Sequence, residues 1–355
     1  MSNAEPHLVV CGQVSAITDE CVTVQQHGDE QQAMKIDYSH LVYALGNHLP
    51  DPLRHDGYSK LKGMEWMKRC SERIEKSENI VVIGGGALGV QFATDIATRF
   101  AHKRVTLVHS RKQLMPRFDQ RVHDMAYERI KKLGINVVLG HRVASVQQSH
   151  RDEAPTTQAE NKEDVRYLVR TNQGLELDCD LLLLCTGTRP NSALMANFSP
   201  SSVDPQTRQI QVLQTLQVMR SVGHGEPNHF ANIFAIGDVA ETAALHAGYQ
   251  AYYMGEVAAE NILRQIIGVR STAEPDSKVK EGETIPMQDF APLSPMLKLT
   301  VGGGEVIKQD APVADPTHPD KMVRPIIFTV PDTESMDVES VWVSLARADP
   351  SNMHA

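Results

Sequence analysis

The fold is decided by the stretch Asn79-Ile80-Val81-Val82-Ile83-Gly84-Gly85-Gly86-Ala87-Leu88-Gly89. An apolar strand runs into a glycine loop, a helical pattern follows, and a second apolar strand, Val105–Val108, leads to His109. Strand, glycine loop, helix and strand in this order predict the βαβ unit that opens a dinucleotide-binding domain. Glycine-rich turns also occur in unrelated α/β folds, so it is the strands on both sides that favour a nucleotide site.

The motif glycines have separate mechanical roles. We expect Gly84 to permit the tight turn out of the strand, Gly86 to let a pyrophosphate approach the backbone, and Gly89 to let the helix pack against the strand. Ala87 and Leu88 complete the loop. The N-terminus of the helix then offers N–H groups and a partial positive charge to the phosphates.

The nucleotide preference depends on the residues after the second strand. NAD-binding domains place an acid about 20 residues past the loop, where it binds the ribose. Counting from Gly89 gives His109, and Arg111 follows with Lys112 beside it. An arginine accommodates a 2′-phosphate, so NADPH is at least as good a candidate as NADH. The alternative is that Arg111 and Lys112 are solvated loop charges and His109 an ordinary surface histidine.

Composition limits the function classes. A length of 355 residues predicts two or three domains, and a net charge of −9 leaves no basic footprint for nucleic acid. The five cysteines have neither CxxC nor metal-ligand spacing, so we expect no disulfide framework, redox dithiol or metal site. The polar start and the lack of a long apolar run predict a soluble cytoplasmic protein. Peripheral membrane contact and the oligomeric state stay open.

Further elements follow from apolar patterns. The sequence predicts strands at Leu8–Gly12 and Leu41–Gly46, the latter buried on both faces, and helices at Lys60–Lys76 and Ala243–Ile267. Residues 150–164 are charged and polar, which predicts a solvated loop.

A second ligand site is predicted at Asp238. The buried strand Asn232–Ile236 ends in Gly237-Asp238, and a helical pattern follows. Open α/β sheets bind ligands at the carboxyl ends of their strands, where an ionised aspartate accepts hydrogen bonds from sugar hydroxyls. The alternative is an ordinary helix-capping aspartate.

Three motifs are spaced around the central glycine loop: Tyr43-Ala44-Leu45-Gly46, Cys185-Thr186-Gly187-Thr188-Arg189-Pro190, and Ile233–Asp238. In this order they resemble the pyridine-nucleotide flavin oxidoreductases. Within that superfamily the chain is most similar to the apoptosis-inducing-factor-like and ferroptosis-suppressor-like group, which is related to type II NADH:quinone reductases. The likeness covers residues 8 to about 265.

The resemblance implies an α/β fold with two Rossmann-like domains. A flavin domain, residues 1–75 and 187–265 and incomplete at its N-terminus, would be interrupted by an NAD(P) domain, residues 76–186. Residues 266–355 would form an irregular C-terminal region.

The resemblance also implies roles for single residues. Gly46 and Gly187 would lie in the crossover segments between the domains, and Gly237 and Asp238 would bind the ribityl chain of FAD. The helix beginning near Ala247 would direct its N-terminus at the flavin ring. Gln91 stands where the family usually has a glutamate near the nicotinamide.

The implied function is an FAD-dependent NAD(P)H oxidoreductase that passes hydride to flavin and electrons to a quinone-like small-molecule acceptor. No side chain has a claim as a catalytic acid, base or nucleophile. The chain begins after the family's first strand–GxGxxG–helix unit, so we expect FAD to lose its pyrophosphate cradle. The alternative is a non-catalytic NAD(P)-binding remnant, or a truncated family member without FAD.

Overall fold

The computed structural model of the protein describes residues 7–27, 33–50, 53–55, 57–150, 165–221, 228–273, 285–329 and 343. The chain divides into two compact units. Unit 1 comprises Met1–His48 and Thr188–Leu293, and unit 2 comprises Leu49–Gly187 and Ser294–Ala355. The predicted loop at 150–164 lies outside the described residues except for His150, which ends a strand.

The described residues form five α-helices and twenty-two β-strands. The helices are α1 (Lys60–Lys76), α2 (Ala87–Arg99), α3 (Gln120–Lys132), α4 (Ala193–Phe198) and α5 (Gly248–Ala273). The strands are β1 (Gly12–Ile17), β2 (Cys21–Gln26), β3 (Ala33–Asp37), β4 (Leu41–Tyr43), β5 (Asn47–His48), β6 (Asn79–Ile83), β7 (Arg104–His109), β8 (Asn136–Leu139), β9 (Val143–His150), β10 (Val165–Thr171), β11 (Glu176–Cys179), β12 (Leu181–Leu184), β13 (Arg189–Pro190), β14 (Ile210–Gln211), β15 (Gln217–Ser221), β16 (Asn228–Ala235), β17 (Ala240–Glu241), β18 (Leu297–Thr300), β19 (Val306–Gln309), β20 (Val313–Ala314), β21 (Met322–Val323) and β22 (Ile326–Thr329). Two 3₁₀ turns occupy Pro200–Ser202 and Gly237–Val239.

Unit 2 is built around a parallel sheet of order β12-β6-β7-β8. Its strands are buried on both faces. Ile80, Val82 and Leu107 pack in the cluster that includes residues of α2 and α3, whereas Val81 and Val108 pack with residues of the antiparallel sheet β9–β11. Helix α2 connects the parallel neighbours β6 and β7, so the predicted βαβ unit is present.

The division of the chain differs from the predicted boundaries in two places. Residues 49–75, predicted in the flavin domain, group with unit 2, because Leu53 and Ile74 pack against its core. The predicted separate region from residue 266 is split between the units. From Ser294 onward it belongs to unit 2, where Leu299 and Ile307 are fully buried.

Unit 1 contains the sheet β15-β16-β4, in which β16 and β4 are parallel, and a separate antiparallel sheet β1-β2-β3. Phe234 of β16 and Met254 of α5 belong to its core. This order places Gly237 and Asp238 directly after the carboxyl end of β16, as predicted.

Three element predictions for unit 1 are wrong. Residues 8–11 form no strand, and Val9 is 95% exposed. Strand β4 stops at Tyr43, and Val42 is 39% exposed, so this strand is not buried on both faces. Helix α5 starts at Gly248 instead of Ala243, because Ala240–Glu241 first pairs with β14.

Candidate functional site

The turn between β6 and α2 requires glycine at two of the motif positions. Gly84 has a φ of +120°, and a Cβ built there would lie 2.6 Å from the carbonyl oxygen of Cys185. A Cβ on Gly89 would collide with the carbonyl oxygen of Gly84. The first glycine therefore permits the turn and the third permits close packing of the helix, as predicted for this motif.

Gly85 must also be glycine, for a reason that differs from those at Gly84 and Gly89 and that was not predicted. Its N–H donates to Nδ1 of His109 at 3.0 Å, and its carbonyl accepts from the N–H of Met115 at 2.8 Å. A Cβ would lie 2.6 Å from Cδ2 of Leu114 and 2.7 Å from Cγ of His109. The peptide of Gly85 is thus held from both sides by the segment that follows β7.

Gly86 faces open space. No atom lies within 4 Å of a Cβ built on it, and it is the N-cap of α2, with no side-chain cap. Its φ of −82° would accept any residue, so neither strain nor packing demands glycine here. The first N–H groups of a helix, here those of Ala87, Leu88 and Gly89, have no intrahelical acceptor. A backbone that can be approached closely beside such donors fits a pyrophosphate.

His109 ends β7, but its side chain is turned into the glycine loop. Because Nδ1 accepts the hydrogen bond from Gly85, the imidazole is neutral, with its proton on Nε2. Burial lowers the pKa of His109, and the nearby charge of Arg111 lowers it further. The alternative of an ordinary surface histidine is therefore wrong: the residue supports the loop from inside the fold. Its Nε2 is buried and has no partner among the described residues, so the part of His109 as a cofactor ligand stays a prediction.

Arg111 and Lys112 lie just past the carboxyl end of β7, and both side chains are exposed. The backbone here is fixed, since the Arg111 carbonyl accepts from the N–H of Gly140 at 3.0 Å. This end of a parallel sheet is where the ribose of a dinucleotide binds. Two exposed cations stand here, where an NAD-binding domain has an acid.

The amide of Gln91 is already hydrogen-bonded within unit 2. Its Nε2 donates to Oγ1 of Thr300 on β18 at 2.8 Å. The predicted part in orienting the nicotinamide thus has a competing structural partner, contributed by a strand 209 residues further along the chain. A glutamate could not donate this hydrogen bond when ionised.

A second polar cluster lies in unit 1. Nδ2 of Asn47 donates to Oδ2 of Asp238 at 3.2 Å, and both residues are half-buried. Gly46 and Gly237, each next to one of them, have φ values of +59° and +72°. Two left-handed glycines therefore bring the loops that follow β4 and β16 together at this carboxylate.

The cluster is supported by Tyr43, the first residue of the Tyr43–Gly46 motif, and by Asn191, for which no role was predicted. The Gly46 carbonyl accepts from the N–H of Asn191 at 2.9 Å, and the hydroxyl of Tyr43 donates to the Asn191 carbonyl at 2.6 Å. Burial raises the pKa of Tyr43 to about 12, so this phenol stays a donor. Asn191 follows the Gly187 motif, whose glycine is exposed with a φ of +77°.

Helix α5 begins beside this cluster. Ala247 precedes its first residue and accepts from the N–H groups of Gln250 and Ala251. A Cβ on Gly237 would lie 3.5 Å from the Cβ of Ala251, so the turn carrying Asp238 packs on the first turn of the helix. The carboxylate of Asp238 accepts a hydrogen bond from Asn47. Among the described residues it makes no hydrogen bond that caps α5.

Asn47 supplies the observation that tests the fit of a sugar alcohol. Its Oδ1 is buried, and no hydrogen-bond donor among the described residues reaches it. A buried amide oxygen without a donor is costly, so such an atom points to a ligand that donates. The Asp238 carboxylate and this oxygen together offer acceptors, and the hydroxyls of a ribityl chain are matching donors.

Two of the thiols are poorly suited to a relay. The five cysteines form no disulfide, and burial raises the pKa values of Cys179 and Cys185 to about 12. Thiols that stay protonated are poor nucleophiles. Among the described residues no group of side chains is suited to hold a metal, and no helix is apolar over a length that would cross a bilayer.

Comparisons with known proteins identify the family. The profile of the family described as pyridine nucleotide-disulphide oxidoreductase matches residues 4–259. Fe-regulated protein 8 of Mycosarcoma maydis is 37% identical over 79% of this chain and 64% of its own length. Ferroptosis suppressor protein 1 of Homo sapiens is 30% identical over 65% of this chain and 57% of its own length. The chain thus spans less than two thirds of these relatives.

Solved structures share the fold. The ferredoxin reductase for the CYP199A2 system of Rhodopseudomonas palustris superposes with a TM-score of 0.55 at 18% identity, over 85% of this chain and 64% of that one. The predicted α/β class and the likeness to the apoptosis-inducing-factor and ferroptosis-suppressor group are confirmed. With most of its length matched by one profile, the chain belongs to the pyridine nucleotide-disulphide oxidoreductase family.

Proposed function

We propose that the chain carries the nicotinamide- and flavin-binding parts of an NAD(P)H-dependent flavoprotein oxidoreductase. Hydride would pass from NAD(P)H to FAD, and electrons onward to a quinone-like acceptor. The observation that carries the flavin assignment is the Asp238–Asn47 pair, with its buried Oδ1 that lacks a donor. The acceptor class follows from the family resemblance and belongs to the same proposal.

Each unit contributes a defined set of groups. In unit 2, Gly86 and the first turn of α2 would hold the pyrophosphate of the nicotinamide nucleotide, and Arg111 a 2′-phosphate. In unit 1, Asp238 and Asn47 would accept hydrogen bonds from the ribityl hydroxyls, and the positive end of α5 after Ala247 would face the flavin ring. FAD, when bound, supplies the hydride and electron transfer chemistry, and these residues orient and hold it.

A second candidate is an NAD(P)-binding protein without flavin chemistry. It is favoured by Gln91, which lacks the charge of the usual glutamate and bonds to Thr300. The two candidates share the glycine loop and differ in what they predict for unit 1.

The experiment is a titration of the full chain with FAD, in which binding is measured by the quenching of flavin fluorescence. We expect saturable binding that Asp238→Ala weakens at least tenfold, because the ribityl chain would lose a charged acceptor. NADPH binding to the same variant, measured by its own fluorescence, should not change.

Asp37→Asn is the control, because this exposed aspartate ends β3 of the same unit. It should leave FAD binding unchanged. Binding of NADPH without any saturable FAD binding would instead establish the second candidate.

A further inference from the structure

A cavity of about 140 Å³ lies within unit 2, between α1, α2 and β12. Trp66 and Ile74 line it from α1, Leu88 and Phe92 from α2, and Leu183 from β12. None of these side chains was assigned above to the nucleotide or the flavin. Leu88 contributes only its backbone N–H to the proposed pyrophosphate site, in the first turn of α2.

The walls of the cavity are apolar, and one of them is lightly packed. Helix α1 has no buried residue along its 17 positions, although its inner face is apolar. An apolar cavity of about 150 Å³ stays dry and accepts a molecule such as benzene. The volume therefore fits a single ring or a short alkyl chain.

Two polar groups belong to the lining. Arg73 is the one charged side chain among the described residues that line the cavity, and it is exposed to solvent. Nε1 of Trp66 is buried and reaches no acceptor among the described residues. The ring of His55 lies 5.9 Å from that of Trp66 and helps to fix the indole.

These groups select the chemistry of the ligand. An indole N–H only donates, and a guanidinium donates and carries a positive charge. Both are satisfied by an acceptor that is also an anion, and a carboxylate has two oxygens to share between them. A neutral hydrocarbon would leave the Trp66 N–H unpaired, and a dianion would bring more charge than one arginine compensates.

We propose that this cavity binds a small amphipathic monocarboxylate, with its ring or chain against Leu88, Phe92 and Leu183 and its carboxylate beside Trp66 and Arg73. The ligand is a free small molecule. This site is separate from the proposed flavin function, and its test needs neither cofactor.

The protein offers a direct reporter. The sequence contains two tryptophans, Trp66 and Trp342, so Trp342→Phe leaves Trp66 as the only one. We expect hexanoate to change the fluorescence of this full-length variant saturably. Hexanamide, which has the same chain without the charge, should bind at least tenfold more weakly.

Two further variants locate the site. Arg73→Gln should weaken hexanoate binding at least tenfold and leave hexanamide binding unchanged. Lys68→Gln removes an exposed cation of the same helix that does not line the cavity, and it should change neither. Cys70→Phe, which adds a ring to the cavity lining, should abolish both, with circular dichroism showing that the variant is folded.

Three results would overturn the proposal. They are no saturable response to hexanoate, equal affinities for hexanoate and hexanamide, and an Arg73→Gln variant that binds hexanoate as the parent does. The Arg73→Gln comparison decides the matter even if Cys70→Phe fails to fold, because an exposed glutamine on α1 disturbs no core.

Discussion

At the scale of single residues, His109 makes the glycine loop sensitive to pH. Its Nδ1 can accept the N–H of Gly85 only while the imidazole is neutral. Burial lowers its pKa from the ordinary value of 6.5, so the unfolded chain takes up a proton at a higher pH than the native chain. The stability that this bond contributes is complete above pH 6.5 and is lost as the pH falls through the lower native pKa.

We therefore expect His109→Gln to flatten the pH dependence of thermal unfolding. The glutamine oxygen still accepts a hydrogen bond but does not titrate. Between about pH 7.5 and about pH 5.5, which spans the histidine range, the Tm of the variant should fall by less than that of the wild type. His102→Gln, at an exposed histidine, is the control and should follow the wild type. Parallel curves for His109→Gln and the wild type would contradict the role of His109.

A substitution at Gly86 should affect NADPH binding much more than stability, because the space around this residue is open. A methyl group there meets no protein atom within 4 Å, so Gly86→Ala should cost about 1 kcal/mol or less as a poorer helix cap. The same methyl would occupy the place proposed for the pyrophosphate, so we expect NADPH affinity to fall at least tenfold by fluorescence titration.

Gly89→Ala is the matched comparison. Its methyl collides with the carbonyl oxygen of Gly84, so it should lower the free energy of unfolding by about 1–3 kcal/mol. If Gly86→Ala binds NADPH as the wild type does, the pyrophosphate does not lie at this turn.

Residue types predicted part of the site. The motif spacing identified Gly84 and Gly89, whose roles depend on backbone geometry common to all such turns. It did not identify Gly85, because the need for glycine there comes from His109 and Leu114, which approach only after β7 pairs with β6. Asn47 was missed for the same reason: Asp238, its partner, lies 191 residues away.

At the scale of elements, the hairpin β18–β19 stabilises the nucleotide-binding fold. Arg129 of α3 donates to the carbonyls of Val301 and Gly302 and forms an ion pair with Glu305 at 3.0 Å. Its side chain is only 17% exposed. Arg129→Gln should therefore lower the free energy of unfolding by about 2 kcal/mol, measured by urea denaturation.

Arg170→Gln provides the comparison at the surface. Arg170 pairs with Glu176 at 2.6 Å, but their side chains are 39% and 55% exposed. Exposed pairs contribute about 1 kcal/mol or less. Equal effects of the two substitutions would show that the hairpin does not depend on Arg129.

Helices and strands were predicted well where the local sequence pattern determines them. They were predicted poorly where contacts with distant parts of the chain determine their position. The run from Lys60 to Lys76 is helical, as its apolar spacing indicates, but that spacing does not say which unit the helix joins. The contact of the β18–β19 hairpin with α2 was not predicted, because the left-handed turn at Gly302 fits against Thr94 only in the folded unit.

At the scale of the whole molecule, each unit combines a parallel strand, a glycine turn and a helix N-terminus. In unit 2 exposed cations follow the neighbouring strand β7, and in unit 1 the glycine turn itself carries an aspartate. These charges suit the two proposed ligands. The phosphates of the nicotinamide nucleotide need donors and cations, whereas the ribityl hydroxyls of FAD need acceptors. The central claim is that both cofactors serve one hydride path.

The most direct test is an anaerobic absorbance spectrum of the full-length protein after incubation with FAD and removal of the excess. We expect a flavin band that bleaches on addition of NADPH, with NADH needed at higher concentration because Arg111 and Lys112 would bind the 2′-phosphate that NADH lacks. A protein that retains no flavin, or a retained flavin that neither nucleotide bleaches, would contradict the account.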